Sequence, residues 1–159
     1  MVVLYQISAM KKFNKILLPT DLSEEGISAL DLALQLADNG SEIHFVFVME
    51  PPTMIDGYAI YSYEQLYSEI KTDSQKKLYE LLENCVKNYP DFTFEQHFIE
   101  ASDAAHAVVD KAHEVEADLI VISSHGRRGL RRVLMGSVAE GVMRLSDIPV
   151  IICKTIKSH

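Results

Sequence analysis

This chain of 159 residues lacks most of the short motifs that name an activity outright. There is no GxxxxGK[ST] string, so no lysine-bearing Walker loop for phosphates. There is no HExxH and no pair of histidines four apart. His106 and His113, on one predicted helix, therefore lack the spacing of a helix-borne zinc site, and no metal site is expected. No SGGxDS-type pyrophosphatase loop is present, and no Ser/His/Asp arrangement is assignable, so no catalytic residue is named. The two cysteines, Cys85 and Cys153, form no CxxC and fit reduced, buried thiols of a cytoplasmic protein. No run approaches the roughly 18 apolar residues of a membrane span. The opening MVVLYQISAMKKF has no basic region ahead of its apolar part and no clear cleavage site. It reads as a loosely held extension over residues 1–14, not a signal peptide. Internal repeats and low-complexity tracts are also missing.

Positive charge is scarce as well. The formal net charge is -8, which argues against nonspecific nucleic-acid or anionic-membrane binding, since both rest on summed positive potential. Arginine is absent until residue 127, and then Arg127, Arg128, Arg131, Arg132 and Arg144 fall together in the last third. Apolar residues make up 48% of the chain and charged ones 24%, which excludes a disordered chain and is enough for one domain with a real core, here expected over residues 15–155.

What is present is alternation. KILLP, Lys15 to Pro19, is an apolar run too short for a helix and reads as a buried strand. Thr20 and Asp21 follow, and then a helix start at which Ser23 and Asp21 compete for the cap, with Glu24 and Glu25 in the favourable first turn. Ile27, Leu30, Leu34 and Ala37 continue that helix to a stop at Asn39-Gly40. Ile43 to Met49 is a near-continuous apolar strand, central by its composition. After the Glu50-Pro51-Pro52 break and a surface segment, the longest helix is predicted from Tyr63 to Asn88, with Leu66, Ile70, Leu78, Leu81, Leu82 and Cys85 as its inward stripe. Phe92 to Ile99 alternates as an edge strand would. Ser102 is placed to cap a helix over 103–115, a strand follows over 118–122, and a last helix over 136–145 leads to the strand PVIIC, 149–153.

Five strands alternating with four helices call for a doubly wound α/β domain with a parallel sheet, Rossmann-like or flavodoxin-like, and helices on both faces. With strand order 3-2-1-4-5, ligands sit beyond the carboxyl ends of the first and fourth strands. The stretch LIVISSHGRRGLRRVLMGSV, Leu119 to Val138, then faces Thr20-Asp21. It places an apolar strand, a glycine-punctuated basic loop and a helix start in succession. Ser137 can cap that helix, whose first N–H groups favour an anion. Arg127 and Arg131 add charge nearby.

These residues resemble the universal stress protein family from Lys15 to Lys154. The resemblance rests on KILLPTDLSE, on a second strand ending VMEP, on EADLIVISSHGRRG, and on LMGSVAEGVMR followed by IPVIICK. Members that bind ATP carry G-x-x-G, nine residues, then G-[ST]. Here Gly126, the spacing to Gly136, and Ser137 match, whereas Ser123 replaces the first glycine. The resemblance implies that Asp21 contacts the ribose or adenine and that Val48 presents backbone groups to the base. Pro19, Thr20 and Ile122 would line the base pocket, and Gly126, Gly136, Ser137 and Val138 would cradle the phosphates. Ser123, His125 and Arg127 complete the binding set. It further implies ATP or a related adenine nucleotide, with Mg or Mn, in a dimeric ligand-sensing stress-response protein. Hydrolysis would be slow at most, and the homodimer would form through the apolar last strand. The alternative is a nucleotide-free dimer acting through protein contacts.

Overall fold

A computed structural model describes residues 12–51, 60–124 and 135–154, with the backbone alone at 25 and 60–63. β1 (Phe13–Pro19) forms where FNKILLP offers four buried residues in a row, Ile16 to Pro19, which need cover on both faces of a sheet. Two short helices follow, α1 (Glu24–Ile27) and α2 (Ala29–Leu36), joined by Ser28. The single helix predicted here is therefore in two pieces. It also ends earlier than the Asn39-Gly40 signal suggests. Ala37 is buried, extended and paired with Phe13, and it opens β2 (Ala37–Met49). The glycine acts inside that strand instead: the register jumps from Phe13–Ala37 to Lys15–Glu42, and Gly40, at φ +81°, takes the left-handed turn within the irregularity.

α3 (Ile60–Asn88) begins three residues before its predicted start and is the longest helix. Leu78 and Cys85 are buried on it as expected. Leu66 and Ile70 are not, at 51% and 44% exposed. In that half the helix meets its neighbour strand through polar contacts, Tyr67 and Lys71 both engaging Glu100, so the apolar pair stays outside. β3 (Thr93–Glu100) and α4 (Ala104–Glu114) come next. The cap of α4 is Asp103, whose carboxylate accepts the His106 N–H at 3.0 Å, and not Ser102. β4 (Leu119–Ser123), α5 (Ser137–Leu145) and β5 (Val150–Cys153) complete the fold.

All pairings are parallel and the order is β3-β2-β1-β4-β5, as predicted. Alternation along the strands divides the core between the two faces. Ile16, Leu18, Phe45 and Val121 pack with Leu30 and Ala33 of α2 and Leu78 of α3. Leu17, Val46, Ile120 and Ile122 pack with Val108 and Ala112 of α4 and with Ala139 and Val142 of α5. At about 1.5–3 kcal/mol for each fully buried large aliphatic side chain, these two layers hold the strand ends in place. Phe45–Phe94 and Phe47–Phe98 stack between β2 and β3 at centroid separations of 6.1 and 5.3 Å, fastening the edge strand.

Candidate functional site

The strand order reverses between β1 and β4, and their ladder is short. Ile16 pairs with Leu119 and Leu17 with Ile120, whereas β1 stays in register with β2 up to Pro19–Val46. The carboxyl ends of β1 and β4 thus part where an open parallel sheet holds ligands. Thr20, buried at the β1 end, donates its N–H to the Val46 carbonyl at 2.9 Å, which carries β2 support one residue past the strand.

The turn after β1 is built from side chains. Thr20 Oγ1 accepts the Leu22 N–H at 3.0 Å, and Asp21 Oδ1 accepts the Ser23 N–H at 3.0 Å as well as the Ser23 hydroxyl. Leu22, between them, sits at φ +63°, an uncommon region for a branched apolar residue. Ser23 wins the competition for the helix cap, its Oγ accepting the Gly26 N–H at 3.0 Å. Asp21 is thereby fixed by the cap without being the cap.

On the opposite wall, Ile122 is buried among the residues that pack beneath α4 and α5, with Val48 and Val138 half-buried against the same cluster. Ser123 ends β4. Ser124 is buried and fastens two segments: its N–H donates to the Cys153 carbonyl and its carbonyl accepts the Gly136 N–H, both at 2.7 Å. One backbone hydrogen bond therefore joins the end of β4 to the start of α5. Gly136, not Ser137, is the cap of α5; lacking a side chain, it places no capping oxygen over the first N–H groups of the helix. Ser137 is the first helical residue and is exposed. His125, Gly126 and Arg127 lie outside the described residues.

Residues 12–154 match the family model described as the universal stress protein family. The chain belongs to the universal stress protein family. It is similar to Universal stress protein YxiE of Bacillus subtilis (strain 168), 30% identical over 147 residues that cover 89% of this chain and 99% of the relative. In structure it is similar to MJ0577 of Methanocaldococcus jannaschii, with a TM-score of 0.75 and 26% identity, covering 93% of this chain and all of that one. A universal stress protein in complex with cAMP has the same fold, at TM-score 0.60 and 23% identity over 92% of this chain and 100% of its own. So does the AMP-bound family member At3g01520 of Arabidopsis thaliana, at 0.57 and 15% over 89% and 91%.

The strand order puts Pro19 at the carboxyl end of β1 with Thr20 and Asp21 just after it, Ile122 and Ser123 at the carboxyl end of the neighbouring β4, Val48 near that of β2, and Gly136, Ser137 and Val138 at the start of α5. Two supporting residues escaped the sequence reading. Gly26, in the first turn of α1, leaves room for the Asp21 carboxylate; its signal was a glycine among good helix formers in SEEGIS. Ser124 had no signal, because its role is carried by its backbone. Among the described residues no cluster of three or more metal-ligating side chains occurs. His106 pairs with Asp103 and His113 with Asp147. No described helix is long and apolar enough to cross a membrane.

Proposed function

We propose that this member of the family binds ATP or a related adenine nucleotide, with Mg or Mn, in the crevice between the ends of β1 and β4. The observation that carries the reading is the parted β1–β4 ladder, flanked by the fixed Asp21 carboxylate and by the uncapped start of α5. The base lies toward Val48, Pro19, Thr20 and Ile122, the ribose at Asp21, and the phosphates at Gly126, Gly136, Ser137 and Val138, with Ser123, His125 and Arg127 completing the binding set. Helix N–H groups and the helix dipole stabilise the phosphate charge without a Walker lysine. A micromolar dissociation constant corresponds to about 8 kcal/mol, within reach of a buried adenine and several phosphate hydrogen bonds. No residue is assigned as a base that positions water, so turnover is slow at most and the role is cytoplasmic ligand sensing in a stress response.

The sensing unit is a homodimer formed through β5. That strand is at the sheet edge, its four residues are apolar or cysteine, and all are half-buried, a ladder that a second copy would cover. Light scattering at micromolar protein gives the mass of two chains; a single-chain mass overturns this part.

Calorimetric titration with ATP-Mg tests the binding. Ligand at about 100 times its dissociation constant raises stability by about 2.7 kcal/mol, and the absence of both heat and thermal shift at millimolar nucleotide overturns the reading. Ser123 favours a second one, a nucleotide-free dimer acting through protein contacts, because a side chain stands where ATP-binding members have glycine. Ser123→Gly separates the two: binding gained only in the variant supports the second.

A further inference from the structure

His44 and His97 belong to neither wall of the crevice. They face each other from β2 and β3 on the side of the sheet covered by α4, with near-parallel rings at 5.3 Å between centroids. His44 is 6% exposed, and its Nδ1 lies 3.0 Å from His97 Nε2. Its other nitrogen, Nε2, lies 3.2 Å from Glu42 Oε2, and the same oxygen is 3.2 Å from Lys15 Nζ. A row of four polar side chains thus runs from β1 across β2 to the edge strand.

The protons in this row can be placed by counting donors and acceptors. The His44 hydrogen bond, and then that of Lys15, hold the Glu42 carboxyl below its ordinary value, so it is a carboxylate and only accepts. His44 Nε2 therefore carries hydrogen. In the neutral ring Nδ1 is then a lone pair, and His97 Nε2 must carry the hydrogen between the rings. One further proton on the pair leaves this bond intact, because a charged His97 still donates through Nε2 to His44 Nδ1. A second further proton sets N–H against N–H across 3.0 Å, with two positive rings in contact.

We propose that His44 and His97 form a proton-limited clasp that holds the edge strand β3 to β2 beneath α4 and releases when the pair takes up more than one added proton. The surroundings of His97 set where this occurs. It faces His44 from β2, Lys111 and Glu114 from α4, and Glu95 from its own strand. Burial first, then His44 and Lys111, lower its pKa against the opposing pull of Glu95 and Glu114. The folded value lies below the ordinary one of about 6.5, so below that pH the unfolded chain binds more protons than the folded one. The stability contributed by the pair is fully present above about pH 6.5 and is lost as pH falls through the folded value of His97, the hydrogen bond itself parting only with the second added proton.

The test compares the full-length chain with His97→Gln, whose side-chain amide can donate to the Nδ1 of a neutral His44 and itself never charges. Between about pH 7.5 and 5.5 the thermal midpoint of the wild type drops about 2–4 °C further than that of H97Q; parallel curves overturn the clasp. A second readout needs no variant. Nitrogen-15 imidazole spectra of the wild type at about pH 7.5 should show hydrogen on Nε2 of both rings. On acidification His97 should titrate below the ordinary imidazole value of about 6.5. The opposite tautomer on His44, or His97 titrating at or above that value, overturns it.

Discussion

The carboxylate of Asp21 occupies the space that a side chain at Gly26 would need: a Cβ there would lie 2.5 Å from Asp21 Oδ1 and 3.1 Å from Thr20 Oγ1. Gly26 thereby permits the helix start and the acidic side chain to share one corner of the crevice. Gly26→Ala gains about 0.5–1 kcal/mol of helix propensity. It displaces Asp21 from Ser23, at about 0.5–1.5 kcal/mol for each hydrogen bond. With two such bonds at stake the loss exceeds the gain, so the urea midpoint falls modestly while nucleotide affinity falls about tenfold, or about 1.4 kcal/mol. Unchanged affinity by calorimetry would remove Asp21 from the site.

Ser23→Ala removes the cap of α1 and a partner of Asp21 together. The expected cost is about 1 kcal/mol, or about 2–4 °C in the thermal midpoint. Ser23→Thr keeps both the capping oxygen and the hydroxyl donor to Asp21 and recovers most of that loss; failure to recover it assigns the effect to something other than these two hydrogen bonds.

Gly141 of α5 lies against Ala105 of α4, and a Cβ at Gly141 would come within 2.6 Å of the Ala105 Cβ. Helix propensity alone predicts that Gly141→Ala stabilises by about 0.5–1 kcal/mol. Overpacking predicts a loss of about 1–3 kcal/mol, and the structure favours the loss. Denaturant unfolding decides the sign, and adding Ala105→Gly should return most of the stability.

The thiols should be slow. Cys85 is 3% exposed, and burial pushes its pKa up to about 11; Cys153 is raised as well, by burial and then by Asp31. Little thiolate is present at neutral pH, so a disulfide-exchange reagent should label neither quickly in the folded protein and both promptly in denaturant. Prompt labelling of Cys85 under native conditions would contradict its burial on the inward face of α3.

The alternation of short apolar runs with helical stripes was enough to foresee five parallel strands, because a strand buried on both faces and a helix buried on one leave different spacings in the chain; the order 3-2-1-4-5 entered as a condition, and the structure has it. Local signals near element ends served less well. Ser102 and Ser137 looked like caps, yet Asp103 and Gly136 hold those positions, since a cap depends on which residue turns extended at the helix start. Asn39-Gly40 looked like a helix stop, but Ala37 had already paired with Phe13.

The sequence by itself determined the layer architecture and the family, because both rest on periodicity and on motifs contiguous in the chain. Tertiary structure alone decided how far β1 and β4 stay paired before they part. It decided that Leu66 and Ile70 face outward while Leu78 is buried, and that Asp21 rests over Gly26. It also set His44 against His97 across 53 residues of chain. The register of parallel strands joined by long crossovers has no local signature, and it is that register which brings distant polar groups to hydrogen-bonding distance.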